Sequence, residues 1–203
     1  ETYDGGSGTD TLLVNTDGDE VFDYRTSVLT SLETLNFDSV SANLTARFNA
    51  AQIIANFVSV IFPTSSGFAR IADITMDAVT SLDLSGLSVT GLGSFLITGD
   101  ASSETVTGTS AADTINGNSG DDIIHGGAGA DSLQGQGGND TIYADADDTW
   151  YSGGDGIDTI VCTGTNDWQY ALAQGEFEHV KAGSGNNAIY GSDGDNIIEM
   201  EAG

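Results

Sequence analysis

The sequence predicts an all-β chain wound as a parallel β-solenoid, and three observations support this prediction. A nine-residue repeat runs almost unbroken from Gly108 to Val161. Short apolar segments of strand length, separated by Ser, Thr, Gly and Asn, occupy much of the remaining chain. The stretches that begin at Gly5 and Gly153 are near copies of each other, which indicates an internal duplication. Short tandem repeats of this kind are typical of solenoids, in which each repeat packs only against its neighbours.

The repeated unit combines turn residues with strand residues in a fixed order. Glycine begins each regular unit, aspartate stands at the sixth position and an aliphatic residue at the eighth; the fifth of the six units departs from this order. Glycine adopts the positive φ angles that tight turns require, and apolar residues at alternate positions are typical of half-buried strands. The eighth-position residues are expected to point inward and to form a narrow apolar core: Ile115, Ile124, Leu133, Ile142 and Ile160.

The chain divides into four predicted regions, each with its own pattern. The first opens with a turn of the repeat type, DGGSGTDTLLV, and the second holds further solenoid rungs. The third carries the regular repeats, and the fourth a detour followed by degenerate repeats. They span residues 1–37, 38–98, 99–161 and 162–203, in that order. Within the second region, Phe48, Ile53 and Phe57 recur at nearly helical spacing, so residues 46–57 are compatible with a short helix or with strands.

The charge balance restricts the classes of partner. The chain has 31 Asp and Glu against 4 Lys and Arg, a formal net charge of -27, which opposes compaction unless cations screen it. Nucleic acids and anionic membranes are not expected as partners, because the sequence lacks the cluster of Lys and Arg residues that binds phosphate groups. The best apolar run, Ile53 to Phe62, is about half of a membrane span, so membrane insertion is not expected. With Cys162 as the single cysteine, metal rather than an internal disulfide is expected to staple the fold.

The repeat G-G-x-G-x-D-x-U-x, in which U is a large aliphatic residue, resembles the repeats-in-toxin (RTX) family of secreted bacterial proteins. This resemblance implies a right-handed parallel β-solenoid, also called a β-roll, that binds Ca²⁺ in its turns. Calcium takes about six to eight oxygen ligands from carboxylates and backbone carbonyls. In the family, two successive units complete one coil, so turns two units apart lie on the same side and the ion sits between them.

Carried over to this sequence, the resemblance implies a set of calcium ligands and at least three ions. The paired carboxylates are Asp113 with Asp131 on one side, and Asp122 with Asp140 and Asp140 with Asp158 on the other. The turn glycines are expected to supply carbonyl oxygens: Gly108, Gly117, Gly120, Gly126, Gly135, Gly137, Gly153, Gly154 and Gly156. Asp10 stands at the same position of the first turn, but the sequence shows no partner turn for it.

Defects in the repeat predict where calcium binding fails. Thr149 replaces the aspartate of ADADDTWYS, which also loses three glycines. The acids of this unit either ligate an ion irregularly or form a solvated bulge; they are Asp145, Asp147 and Asp148. Glu104 replaces the aspartate of the unit that starts at Gly99, so the calcium chemistry is expected to begin one unit later. Asn187 and Asn196 offer only neutral oxygens, and weak binding at most is expected there.

The function expected from these features is that of a calcium-binding structural module of a secreted bacterial protein. Such a module folds outside the cell, after type I secretion, and serves in surface-layer or adhesin assembly, by self-assembly or by binding cell-surface polysaccharide. The alternative is the C-terminal calcium-binding region of a type I-secreted enzyme: a protease, a lipase or a polysaccharide epimerase. Catalysis within the chain is not expected, because His125 and His179 are far apart and no nucleophile motif is present. A polysaccharide would need exposed aromatic rings; for Trp150, Tyr151, Trp168 and Tyr170, buried packing is the simpler interpretation.

Overall fold

The computed structural model of the protein describes residues 1–14, 20–37, 43–64, 69–163, 169–171, 177–183, 188–190 and 195–200. Within these ranges the chain consists of short strands and one short helix, α1. The elements of the first half are β1 (Thr2–Asp4), β2 (Thr11–Val14), β3 (Glu20–Asp23), β4 (Val28–Thr30), β5 (Thr34–Phe37), β6 (Leu44–Asn49), α1 (Ala50–Asn56), β7 (Ser59–Ile61), β8 (Arg70–Thr75), β9 (Ser81–Asp83), β10 (Ser88–Thr90) and β11 (Ser94–Thr98).

The second half is built from strands throughout the part that the structure describes. They are β12 (Thr105–Thr107), β13 (Asp113–Ser119), β14 (Ile123–His125), β15 (Ser132–Gly137), β16 (Thr141–Ala144), β17 (Trp150–Asp155), β18 (Thr159–Cys162), β19 (Gln169–Ala171), β20 (His179–Ala182), β21 (Ala188–Tyr190) and β22 (Ile197–Met200). Each of these strands is short because a turn interrupts the chain once in every nine-residue unit.

Two seven-stranded parallel sheets form the body of the molecule. One has the order β17-β15-β13-β11-β8-β6-β3, and the other has the order β22-β20-β18-β16-β14-β12-β9. A four-stranded sheet, β10-β7-β5-β2, and the pairs β1-β4 and β19-β21 complete the described strands. From β11 to β18, successive strands alternate between the two large sheets, so the backbone there winds from one sheet to the other and back.

The register of the strands gives the length of one coil. Thr114 pairs with Ser132 and Ser132 with Trp150 in one sheet, while Ile124 pairs with Ile142 in the other. In the repeat region, residues that stack on one another are thus 18 apart, as in the bond from the Asp113 amide to Asp131. Two nonapeptides therefore make one coil, and about eight coils make up the chain. The predicted all-β parallel solenoid is confirmed.

Eighth-position side chains fill the interior of the repeat region. Ile115, Ile124, Leu133 and Ile142 have no exposed surface, and Ile160 is 1% exposed. Tyr151 takes the eighth position of the broken unit, is also buried and pairs in register with Leu133. The predicted narrow core is confirmed, and it continues through the broken unit.

The first half has a wider, aromatic core that the repeat pattern did not predict. The rings of Phe37 and Phe62 lie 4.8 Å apart, and those of Phe62 and Phe95 lie 5.7 Å apart. Tyr24 stacks on Phe48 at 5.2 Å. Aromatic side chains bury more apolar surface than the aliphatic ones of the repeats, so these coils depend less on bound ions for their packing.

The segment 46–57 contains both a strand end and the helix α1. Asn49 caps the helix, because its side chain accepts the Gln52 N–H at 3.0 Å while the Gln52 side chain accepts the Asn49 N–H at 2.9 Å. Ile53 and Phe57 then turn their side chains into the core. In the ranges that the structure describes, no helix is long and apolar enough to span a membrane.

Candidate metal centre

The structure brings together the acids that stand two units apart in the repeat. The Asp113 N–H donates to Asp131 Oδ1 at 2.8 Å, and the Asp122 N–H donates to Asp140 Oδ1 at 2.8 Å. On the same side as the second pair, the Asp140 N–H donates to Asp158 Oδ1 at 2.7 Å. Each carboxylate thus uses one oxygen to hold the backbone of the preceding coil.

The acids form two columns along the solenoid. The long column, defined by these contacts, consists of Glu104, Asp122, Asp140, Asp158 and Glu178. The short column consists of Asp113, Asp131 and Asp148. The sequence patterns did not identify Glu104, Asp148 or Glu178 as members. Asp148 stands one position before Thr149 and reaches the Asp131 N–H at 3.3 Å, so it replaces the missing aspartate.

Asp10 has a partner that sequence reasoning did not find. The Asp10 N–H donates to Glu33 Oε2 at 2.8 Å, and the Asp10 carbonyl accepts the N–H of Glu33. The two acids are 23 residues apart, so the 18-residue period does not predict their contact. A signal was present, however: LETL around Glu33 corresponds to FEHV around Glu178 in the internal duplication, and both glutamates accept from the acid of the preceding coil.

Several of these carboxylates have a second oxygen that is buried and unsatisfied. Asp122, Asp131 and Asp140 are at most 1% exposed. In each, Oδ2 meets no hydrogen-bond donor among the described residues, and the same holds for Asp10 Oδ2 and for both oxygens of Glu104. An anion buried without a counter-charge is strongly unfavourable, because it has lost its hydration without replacement. A bound cation would compensate these oxygens.

The first glycine of each unit leaves room for such oxygens. A β-carbon placed on Gly117 would clash with Asp122 Oδ2 and lie 2.9 Å from the Gly135 carbonyl oxygen. On Gly135 it would clash with Asp140 Oδ2 and lie 2.7 Å from the Gly153 carbonyl oxygen. Gly108 and Gly126 have Asp113 Oδ2 and Asp131 Oδ2 in the corresponding places. Carboxylate and carbonyl oxygens therefore converge where only glycine fits.

The other predicted glycines fall into two kinds. Gly120, Gly154 and Gly156 have positive φ angles and lie against the main chain of the preceding coil. Gly137 does not: a β-carbon there would meet nothing closer than the Asn118 carbonyl oxygen, at 3.8 Å. Its neighbour Gly138, with φ of 134°, makes the close approach instead.

The turns of Asp113 and Asp148 are closed by hydrogen bonds. Asp113 Oδ2 accepts the Thr109 N–H at 2.6 Å, and both carboxylate oxygens lie within 3.1 Å of Thr109 Oγ1. Asp148 accepts from the backbone at both oxygens, from Asp131 and from Asp145. The acids of the broken unit are thus engaged in its own turn, and these two turns fit a cation less well than those of Asp122 and Asp140.

The donor set as a whole suits calcium. No three His, Cys, Asp or Glu side chains gather at a metal-binding distance in the described part of the chain. An ion in these turns must therefore take most of its ligands from backbone carbonyls, beside one carboxylate or two. Calcium accepts such ligands at flexible geometry, whereas structural zinc requires nitrogen or sulfur ligands.

Other candidate groups do not assemble into a site. His125 and His179 lie on β14 and β20 of one sheet with two strands between them. Tyr151 is buried as expected, but Trp150 is 51% exposed, so buried packing is the wrong interpretation for that ring. Trp168 and the side chain of Tyr170 lie outside the described residues, as does Asn187.

Burial changes the acidity of the column carboxylates. It raises the pKa of Asp113, Asp122 and Asp131 to about 6, from an ordinary value of 3.8, although hydrogen bonds from the backbone oppose the shift. The pKa of Asp140 is raised for the same reason. These acids therefore bind protons more tightly in the folded chain than in the unfolded one.

The calcium-free protein is expected to gain structure as the pH falls. A raised folded-state pKa contributes stability that is complete below about pH 4 and is lost as the pH rises through about 6. Far-UV circular dichroism of the chelated protein at about pH 5 and about pH 8 measures this. We expect more β-structure at the lower pH, and a weaker pH dependence for D140N than for D155N, which removes an exposed carboxylate. Equal or greater β-structure at the higher pH would contradict this expectation.

Comparison with known proteins agrees with this geometry. A family model, the RTX calcium-binding nonapeptide repeat in four copies, matches residues 98–133, 125–160 and 175–203. No curated protein and no solved structure matches the chain. The matched residues include every member of the long and short columns, but not Asp10 or Glu33. RTX repeats bind calcium and are typical of secreted proteins. Residues 98–160 and 175–203 of the chain therefore carry repeats of the RTX calcium-binding family.

Proposed function

We propose that this chain is a structural module of a secreted bacterial protein that folds outside the cell when calcium binds. The observation that carries the proposal is the set of buried carboxylate oxygens in the columns that meet no donor and face glycine turns. Extracellular modules bind calcium with dissociation constants of roughly 10⁻⁴–10⁻³ M, far above the calcium concentration of the cytosol. The chain therefore stays unfolded inside the cell, passes a type I secretion channel and folds outside. It acts through this calcium-bound structure and not through catalysis.

The charge of the chain supports the same proposal. The chain has a net charge of -27 over 203 residues, so its acidic side chains repel one another. Some of these acids are buried in the two columns, where the repulsion is least screened. Bound calcium compensates the carboxylate oxygens that meet no hydrogen-bond donor among the described residues, so part of its binding energy becomes folding energy. Export in an unfolded form then needs no separate unfolding machinery.

A calcium titration of two matched variants tests this function. D140N removes the charge of a buried carboxylate in the middle of the long column, and D155N makes the same change at an exposed position. Because charge count at the site sets calcium affinity, we expect D140N to need about tenfold more calcium to reach half of its β-structure. D155N is expected to behave as the wild type does. Circular dichroism against free calcium gives both midpoints, and equal midpoints for the two variants would count against the proposal.

We further propose that the module associates with a second copy of itself, as a surface-layer or adhesin assembly requires. The support is at β22, the last strand of its sheet among the described residues. Ile198 and Met200 pair in register with buried Val180 and Ala182, yet they are 42% and 51% exposed. Exposed core positions on an outer strand favour the addition of another coil, and we propose that a second copy supplies it.

Sedimentation velocity of the wild type in calcium tests this association. Self-repulsion of the acidic chain makes association dependent on calcium, so dimers or larger species are expected with calcium and not with sodium alone. I198D should abolish them, because it places a charge at the open core position. If the protein stays monomeric in calcium at every protein concentration tested, the proposed assembly role is wrong. The alternative, the calcium-binding region of a secreted protease, lipase or epimerase, would then be favoured, above all if a catalytic motif lies elsewhere in the same polypeptide.

A further inference from the structure

A cavity lies on the outer face of the sheet that contains β12, β14, β16 and β18. It measures about 180 Å³ and is lined by the side chains of Thr107, His125, Tyr143, Asp145 and Thr163, together with the two glycines that follow His125. The first three of these residues alternate along their strands with core residues, so their side chains point away from the solenoid interior. None of the lining residues is a member of the long or short column.

Two stacked rings form one wall of this cavity. His125 lies apart from His179, but it pairs in register with Tyr143 on the adjacent strand. The two ring centroids are 3.9 Å apart and the ring planes differ by 13°, so each ring covers one face of the other. On its other side, His125 pairs in register with Thr107, whose side chain is much smaller than a ring. The row of side chains thus drops from two rings to a threonine, which leaves space beside the stack.

Polar groups surround this space, and several of them have no protein partner. The side chains of His125, Tyr143 and Thr107 form no hydrogen bond with another residue in the ranges that the structure describes. Asp145 Oδ1 accepts a backbone N–H of its own turn at 2.8 Å, and Thr163 Oγ1 donates to a backbone carbonyl at 3.2 Å. A carboxylate, hydroxyl groups and an imidazole can therefore bind a ligand from several sides.

These groups match an uncharged hexose. The C–H groups of a sugar ring pack on aromatic rings, and its hydroxyls both donate and accept hydrogen bonds, as tyrosine, threonine and neutral imidazole do. A carboxylate accepts hydroxyl hydrogens in charge-assisted bonds, which are about twice as strong as neutral ones. Pockets for drug-sized ligands measure roughly 300–1,000 Å³, so this smaller cavity suits a single sugar unit.

Charge disfavours the acidic sugars as ligands. Asp145 stands in the wall of the cavity, no described Lys or Arg lines it, and the chain as a whole has a net charge of -27. A uronate, sulfate or phosphate group would be repelled and would find no cation with which to pair. An apolar peptide side chain is disfavoured as well, because the described lining contains no aliphatic residue larger than glycine apart from the threonines.

We propose that the cavity beside His125 and Tyr143 binds one uncharged hexose unit of a polysaccharide. The inference goes beyond the proposed function and depends on it only because the site requires the folded, calcium-bound chain. One open site makes few contacts, so a free monosaccharide binds weakly. A polymer that presents the same unit many times is the ligand that the site retains.

Affinity electrophoresis in native gels that contain calcium tests the site. Dextran, mannan and galactan serve as the uncharged probes, and carboxymethyl-dextran serves as an acidic one. We expect at least one uncharged polymer to slow the migration of the wild type, and carboxymethyl-dextran to leave it unchanged.

Three variants locate the binding. Y143A is expected to lose the retardation, because it removes half of the ring stack. D145N keeps the oxygen that accepts the backbone N–H but loses the charge, so the polymer should bind about tenfold more weakly. W150A is the matched control: it removes a 51% exposed ring from the other large sheet and should be slowed as the wild type is.

The outcomes separate this site from the proposed function. The site is wrong if no uncharged polymer slows the wild type, if folded Y143A is slowed as much as the wild type, or if carboxymethyl-dextran is as effective as the uncharged polymers. A loss in W150A alone would assign sugar binding to the other sheet and overturn the site as well. Circular dichroism in the same buffer shows which variants fold; if Y143A does not, the weaker binding of D145N decides. A wild type without β-structure in calcium would overturn the proposed function itself.

Discussion

Removal of calcium is expected to unfold most of this chain. In chelator at neutral pH, the β-structure signal should fall, and the radius of gyration should rise toward the roughly 50 Å of an unfolded chain of this length. The reason lies in the repeat region, where one aliphatic side chain per unit forms the core and the buried acids have no counter-charge. Removal of the ions leaves carboxylates stacked one coil apart, which favours the unfolded state.

Circular dichroism and small-angle scattering before and after chelation measure this change. Magnesium serves as the control, because it requires near-ideal octahedral geometry and dehydrates reluctantly, so it should not restore the fold. The aromatic coils of the first half are expected to be the last to lose protection in limited proteolysis, with early cleavage within residues 99–161. A chain that stays equally compact in chelator would show that calcium does not hold the fold.

The second large effect is expected from one methyl group, at Gly138. A β-carbon there would clash with the Gly120 carbonyl oxygen of the preceding coil, and φ of 134° is strained for any residue except glycine. Main-chain atoms on both sides cannot move aside, so we expect G138A to destabilise the calcium-bound fold by about 3 kcal/mol or more. For a chain of this size, the midpoint of thermal unfolding should fall by roughly 10 °C.

Gly137 provides the matched control for this substitution. It adjoins Gly138, but a β-carbon on Gly137 would make only an ordinary contact, 3.8 Å from the Asn118 carbonyl oxygen. G137A is therefore expected to change stability by no more than about 0.5 kcal/mol. Thermal unfolding of both variants in saturating calcium compares them directly. Similar losses in the two variants would mean that the composition of the turn matters and the close approach does not.

The regular part of the fold could be predicted from the sequence because a strict period fixes which residues stack. Ile124 and Ile142 had to meet once two nonapeptides formed one coil, and the acid pairs followed from the same count. The 18-residue period does not predict the partner of Asp10, because Asp10 and Glu33 are 23 residues apart and belong to a longer coil. It also fails at Asp148, which stands at the fifth position of the broken unit and not at the sixth. The aromatic core of the first half lacks a period altogether, so residue types alone did not define which rings meet.

The ladder of bonds from backbone N–H groups to aspartate Oδ1 has a consequence for how the ions are taken up. Asp122, Asp140 and Asp158 each bind the preceding coil with Oδ1 and direct Oδ2 into their own turn. A coil that becomes ordered therefore positions the ligand of its neighbour before that neighbour has bound an ion. We therefore expect calcium binding to spread from turn to turn along the column, so that the sites bind cooperatively and not independently.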